Sequence, residues 1–182
     1  MRNLNHSYLL VIILALTSCK RVGKNQATID PLWHKLTLSS GWIIYAPPDF
    51  ISKAERGIDS RPGIIYSKKD SIFLQYDSDI FERNGISGCD LKSHFADAKA
   101  SIDTGFYKTF YKIPVSHIAL IDTIDNKIAI ILEPTRTGKG TVGIEIPGCR
   151  KEAWIGITGK NLTADKEKLV LEIYKTLRQT NK

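Results

Sequence analysis

The stretch Ile118-Ala119-Leu120-Ile121-Asp122-Thr123-Ile124-Asp125-Asn126-Lys127-Ile128-Ala129-Ile130-Ile131-Leu132 decides the fold class. Two apolar runs, Ile118–Ile121 and Lys127–Leu132, bracket Ile124-Asp125-Asn126. Branched aliphatic side chains suit a pleated surface, and Asp and Asn tolerate the left-handed backbone of a tight turn. The spacing therefore predicts a β-hairpin. The same rhythm continues downstream, where Thr135 to Lys139 turns into Thr141-Val142-Gly143-Ile144-Glu145-Ile146. Pro147-Gly148 ends that strand and Ala153-Trp154-Ile155-Gly156-Ile157 follows. Four strands with turns about every ten residues make an antiparallel meander.

Upstream, Trp42-Ile43-Ile44-Tyr45-Ala46 is a β-rich run stopped by Pro47-Pro48, since proline has no N–H for a ladder. Gly63–Ser67 and Ser71–Tyr76 flank Lys68-Lys69-Asp70, a hairpin-sized loop, and Asp77 to Gly88 reads as a polar, turn-rich stretch. A first helix is expected from about Asp90, where Leu91, Phe95, Ala98 and Ile102 share one face. A last helix follows Thr163 as N-cap, with Asp165 near its positive end. Leu169, Val170, Ile173 and Leu177 form its apolar stripe, and Arg178 lies at its carboxyl end. The expected architecture is α+β, an antiparallel sheet covered by two amphipathic helices, in one domain over residues 32–182.

The whole chain bounds this reading. Its 182 residues, 42% hydrophobic and 25% charged, support one domain with a real core and argue against wholesale disorder. No apolar run approaches the roughly 20 residues of a spanning helix, which excludes a polytopic membrane protein. Three cysteines are too few for a disulfide-dense miniprotein.

The amino terminus carries an address. Arg2 precedes an apolar run from Tyr8 to Leu16, and small residues follow before Cys19, the layout of a secretory signal. Leu16-Thr17-Ser18-Cys19 resembles the lipobox of bacterial lipoproteins. The resemblance implies a signal peptide over residues 1–18, a diacylglyceryl group on the Cys19 sulfur, cleavage before Cys19, and acylation of the new amine. Several acyl chains hold a protein on a membrane where one would not. Cleavage leaves 182 − 18 = 164 residues and, with Arg2 removed, lowers the net charge from +7 to +6. Residues 19–31 would then be the lipidated cysteine and a tether, with Lys20, Arg21 and Lys24 beside the anchor.

The order of elements over roughly residues 40–178 resembles the PsbP/Mog1-type fold, an antiparallel sheet covered by helices. The ending from Leu162-Thr163-Ala164-Asp165 to Leu177 adds to that resemblance. It implies a binding or assembly role without a shared catalytic site, and transfers no functional residue.

Reactive constellations are sparse. With Cys19 lipidated, Cys89 and Cys149 remain as an even pair facing an oxidising compartment, and a disulfide or two separate thiols are both open. A bridge would close a loop of 149 − 89 = 60 residues and stabilise by about 4 kcal/mol in the chain-entropy model. A catalytic Cys89 with His94 or His117 as base is opposed by Asp90, which disfavours thiolate. His34, His94 and His117 lack metal-ligand spacing, so no metal or other cofactor is expected. Asp77-Ser78-Asp79 departs from a calcium loop at Phe81 and Glu82, and Thr137–Thr141 departs from a phosphate loop at Glu133. The basic residues are dispersed, against nucleic-acid binding. Trp42 and Trp154 are expected in the core, and Trp33 as the more exposed aromatic.

The expectation is a lipid-anchored protein of the cell envelope, facing periplasm or exterior, acting as a non-catalytic binding or accessory module for an envelope protein. The alternative is a small-ligand or lipid carrier with an apolar pocket of roughly 300 Å³ or more between sheet and helix. A third possibility is a hydrolase assembled from scattered residues such as His117 and Asp122.

Overall fold

The computed structural model describes residues 28–79, 93, 96, 117–148 and 153–180. In chain order these give β1 (His34–Thr37), β2 (Trp42–Ala46), β3 (Phe50–Ala54), β4 (Gly63–Ser67) and β5 (Ile72–Asp79). After them come β6 (His117–Ile124), β7 (Lys127–Pro134), β8 (Thr141–Ile146), β9 (Trp154–Lys160), α1 (Ala164–Tyr174) and β10 (Arg178–Gln179). A short 3₁₀ turn, Ser39–Gly41, joins β1 to β2.

The expected meander is present. Strands β9, β8, β7 and β6 stand side by side, and the hairpin closes at Ile124↔Lys127. Asp125 and Asn126 take φ of 53° and 59°, the left-handed pair that lets a two-residue turn follow the strand twist. The sheet is larger than the meander, running β3-β4-β5-β9-β8-β7-β6 with every pairing antiparallel. Its inner face carries cross-strand rows such as Tyr76, Ile157, Ile144 and Ile131, all buried. Gly63 starts β4 opposite Tyr76, and a β-carbon there would stand 2.2 Å from the Tyr76 ring. Only glycine lets that ring lie across the strand.

A second sheet of three strands, β1-β2-β10, helps to cover the inner face. Trp42, Ile44 and Ala46 of β2 are fully buried, alternating with half-buried Ile43 and Tyr45. Helix α1 buries Val170, Ile173 and Tyr174 completely, while Leu169 is partly buried. Leu177 belongs to the same core but lies just past the helix. Thr163 stands at the N-cap with extended backbone, although its hydroxyl makes no cap bond. Arg178 donates to the carbonyls of Lys175 and Leu177, as a cation at a helix carboxyl end should.

The expected single sheet covered by two amphipathic helices is corrected: there are two antiparallel sheets, and one helix, α1, is delimited among the described residues. The first and last of the described strands both pair with β2 and make a sheet where helix was expected to provide the cover. The helix expected from Asp90 falls outside the described residues except at Ser93 and Ala96, which are helical. Three strands were also unforeseen. β1 and β10 are short and mixed in polarity, and β3 buries only Phe50. The polar start of the supposed turn region, Asp77-Ser78-Asp79, instead extends β5 against β9.

Thr176 locks the helix end to the small sheet. Its hydroxyl oxygen accepts the Tyr45 N–H at 2.8 Å, and its proton is placed to serve the Ile173 carbonyl at 2.7 Å or the Tyr45 carbonyl at 3.0 Å. Thr176 is 2% exposed, so Thr176→Val keeps the shape and strands a backbone donor. The expected loss is about 1–3 kcal/mol in urea unfolding; an unchanged midpoint would show that the hydroxyl is replaceable.

Candidate functional site

The residues proposed for catalysis are not brought together. In the uninterrupted β6–β7 ladder, His117 and Asp122 are five residues apart, on opposite faces and roughly 17 Å from each other. His117 Nε2 instead accepts the Thr141 N–H at 3.0 Å, which ties the start of β6 to β8. Asp77 is half-buried on β5, where one oxygen accepts the Ser60 hydroxyl at 2.9 Å. Its other oxygen has no hydrogen-bond partner among the described residues. Thr137–Thr141 is a turn, with Gly138 and Gly140 at φ of 77° and 108° and the Gly138 N–H bound to the Leu162 carbonyl at 2.9 Å. No group of three or more potential metal ligands occurs among the described residues. Cys19, Cys89, Cys149 and His94 lie outside them.

The tryptophans separate as their positions suggest. Trp42 is fully buried, and Trp154 is buried with its ring N–H donating to Glu145 at 2.9 Å. Trp33 is half-exposed and packs against the core edge.

The surface feature with a physical claim to function is β6. It ends the order of the large sheet, pairs on one side with β7, and has no strand on its other side among the described residues. Ile118 and Leu120 belong to the inner face but lie beyond the cover, 49% and 44% exposed. Ile121, on the opposite face, is 54% exposed. Eight residues of strand with one charge, Asp122, and apolar groups on both faces form an edge ready to accept another strand. Sequence reading takes Ile118–Ile121 for one strand of a hairpin and does not tell whether it lies at an edge.

A hollow of about 340 Å³ lies beside α1, lined by Thr137, Ala164, Glu167, Lys168, Leu171, Glu172 and Lys175. Four of those seven side chains are charged, unlike the apolar pocket of a carrier. Between α1 and the sheets the space is filled by Trp42, Ile44, Ile173, Tyr174 and Leu177. Burial raises the Tyr174 phenol well above its usual range, and its hydroxyl donates to the Val142 carbonyl at 3.4 Å.

Glu167 holds its proton more tightly than usual, chiefly through burial and secondly through the nearby Glu133 charge. Its Oε2 is buried without a partner among the described residues. A raised carboxyl pKa means that the fold disfavours the ionised form, so this penalty is present at neutral pH. It disappears as pH falls through the raised value toward the ordinary 4.5. Glu167→Gln should therefore raise the melting temperature at pH 7. The gain should vanish below that ordinary value; a variant less stable at pH 7 would show that the helix dipole governs the site instead.

No protein-family model and no curated protein matches the chain. Among solved structures, a protein of Bacteroides thetaiotaomicron VPI-5482 solved at 1.50 Å is similar with TM-score 0.43 and 10% identity. That match covers 81% of this chain but 48% of the other, so this chain spans about half its length. The cyanobacterial PsbP protein (CyanoP) of Synechocystis sp. PCC 6803 is similar with TM-score 0.51 and 8% identity, covering 87% of this chain and 99% of that one. At such identity the likeness concerns fold alone: the chain has a PsbP-like arrangement of strands and helix.

Proposed function

We propose that the protein is a lipid-anchored component of a bacterial cell envelope, whose folded body serves as a non-catalytic binding or accessory module for another envelope protein. The anchor rests on Leu16-Thr17-Ser18-Cys19 following a basic start and a short apolar run. The cysteine supplies the nucleophilic sulfur, and the small residues before it fit a peptidase cleft. Among the described residues no helix is long and apolar enough to cross a membrane.

The observation that carries the binding role is the edge of β6, on which no strand pairs among the described residues. An extended segment of a partner adds there as an antiparallel strand: main-chain hydrogen bonds supply the affinity, and Ile118, Leu120 and Ile121 supply selectivity from both faces. The filled space between helix and sheets gives the carrier alternative no corresponding support.

The test has two arms in intact cells. Mass analysis of the native product should find a chain beginning at acylated Cys19, and Cys19→Ala should leave it unprocessed or released; an intact Met1 without acyl mass contradicts the anchor. A photo-crosslinking residue at Leu120 should yield one discrete protein adduct, lost when Ile118 and Ile121 are both changed to Lys. The same probe at fully exposed Ile58 should not yield it. Equal adducts at both positions contradict the edge-strand role.

A further inference from the structure

One end of the body gathers apolar and basic groups. Ile51, Tyr66 and Phe73 form a single cross-strand row on β3, β4 and β5, on the face opposite the core. Ile51 and Phe73 are 51% and 52% exposed, and Tyr66 between them is half-exposed. Lys53 lies on the same face of β3, two residues beyond Ile51, and is exposed. The turn beside this row carries exposed Lys68 and Lys69. Of the acids nearby, Asp49 and Asp70 are half-buried, Asp49 accepting the Ser67 hydroxyl, while Asp30 and Glu55, the latter two residues beyond Lys53, are exposed.

The amino-terminal segment enters the body at this same end. His34 at the start of β1 pairs with Ala46 at the end of β2, and the Phe50 N–H reaches back to the Pro47 carbonyl at 3.0 Å. Phe50 then pairs with Ser67, next to the lysine turn. Leu32, two residues before β1, is 76% exposed. Eight residues lie between Cys19 and Thr28, and the nine chain steps reach at most roughly 30 Å.

We propose that this end is a membrane-docking surface for anionic phospholipid, with Ile51 and Phe73 entering the interface and Lys53, Lys68 and Lys69 meeting headgroups. The proposal deepens the lipid-anchor reading and rests on it for biological context, since an acylated Cys19 would hold this end within reach of a bilayer. Charge complementarity selects the anionic surface, and aromatic and aliphatic side chains beside lysines suit its boundary region. Each lysine near such a surface raises partitioning about fivefold, and salt weakens the effect. Docked this way, the β3 side of the sheet meets the membrane. β6 stands at the opposite edge, six strand spacings or roughly 29 Å away.

The test uses the full chain carrying Cys19→Ala, so that no acyl group contributes, with phosphatidylcholine vesicles lacking or containing 30 mol% phosphatidylglycerol as a stated composition. The parent should partition at least tenfold better onto the anionic vesicles. Lys68→Glu, Lys69→Glu and Phe73→Ser together should abolish most of that preference, while Ile58→Ser leaves it intact. Residues 1–18 are common to all these proteins, so differences between them belong to the body. Circular dichroism and melting show that each variant is folded, and Phe73→Ser alone supplies a milder variant if the triple one is not. Equal partitioning of parent and folded variants overturns the proposal. Self-association of the parent without vesicles, lost in the variants, also overturns it and makes the surface a contact between copies. Failure of Cys19 acylation in cells would be seen separately, by mass, and leaves this vesicle result standing.

Discussion

A seven-stranded sheet with one strongly apolar face has to remove that face from water, and here the cover comes from the two ends of the described chain. β2 is the junction. It pairs with β1 on one side and β10 on the other, and its Tyr45 peptide is held from behind by Thr176. Trp42 and Ile44 of β2 point into the same core as Ile173, Tyr174 and Leu177. Burial of these groups is mainly hydrophobic in origin, but the hydrogen bonds around Tyr45 fix where the cover sits. Asp125 extends the junction to the meander: its carboxylate accepts the Gln179 N–H at 3.0 Å and lies 3.8 Å from the Arg178 side chain. One hairpin turn thus holds the far end of the chain.

The cover is narrower than the sheet. It seals the middle strands and Ile124 at the turn end of β6, and leaves Ile118 and Leu120 of that strand about half exposed. The same hairpin that organises the meander therefore presents Ile118 and Leu120 at an edge that no other described strand covers. At the other edge, the row from Ile51 to Phe73 is exposed because it faces away from the core altogether. The two surfaces arise differently, one from incomplete cover and one from a water-facing sheet face.

Much of the large sheet was legible because its signals are local. Asp125-Asn126, Pro147-Gly148 and Lys68-Lys69-Asp70 punctuate strands whose aliphatic content is high. The small sheet was not, because β1 and β10 hold four and two residues and depend on pairing with β2 from far along the chain. Asp77-Ser78-Asp79 reads as turn by composition, yet the β9 ladder keeps it extended. Of the proposed site residues, His117 begins β6 one residue before the run that reads as strand, and a strand's alternation puts it and Asp122 on opposite faces. The open edge was the least legible feature: exposure of Ile118 and Leu120 depends on how far the cover extends, which no local pattern records.

Native-state hydrogen exchange on the isolated protein tests this division most directly. Amides of Ile43, Ile44 and Ile144 should exchange only through global unfolding, whereas every second amide of β6, facing away from β7, should exchange orders of magnitude sooner. Uniform protection along β6 equal to that of β8, or early exchange of β2, would contradict a core closed at β2 with an edge left open at β6.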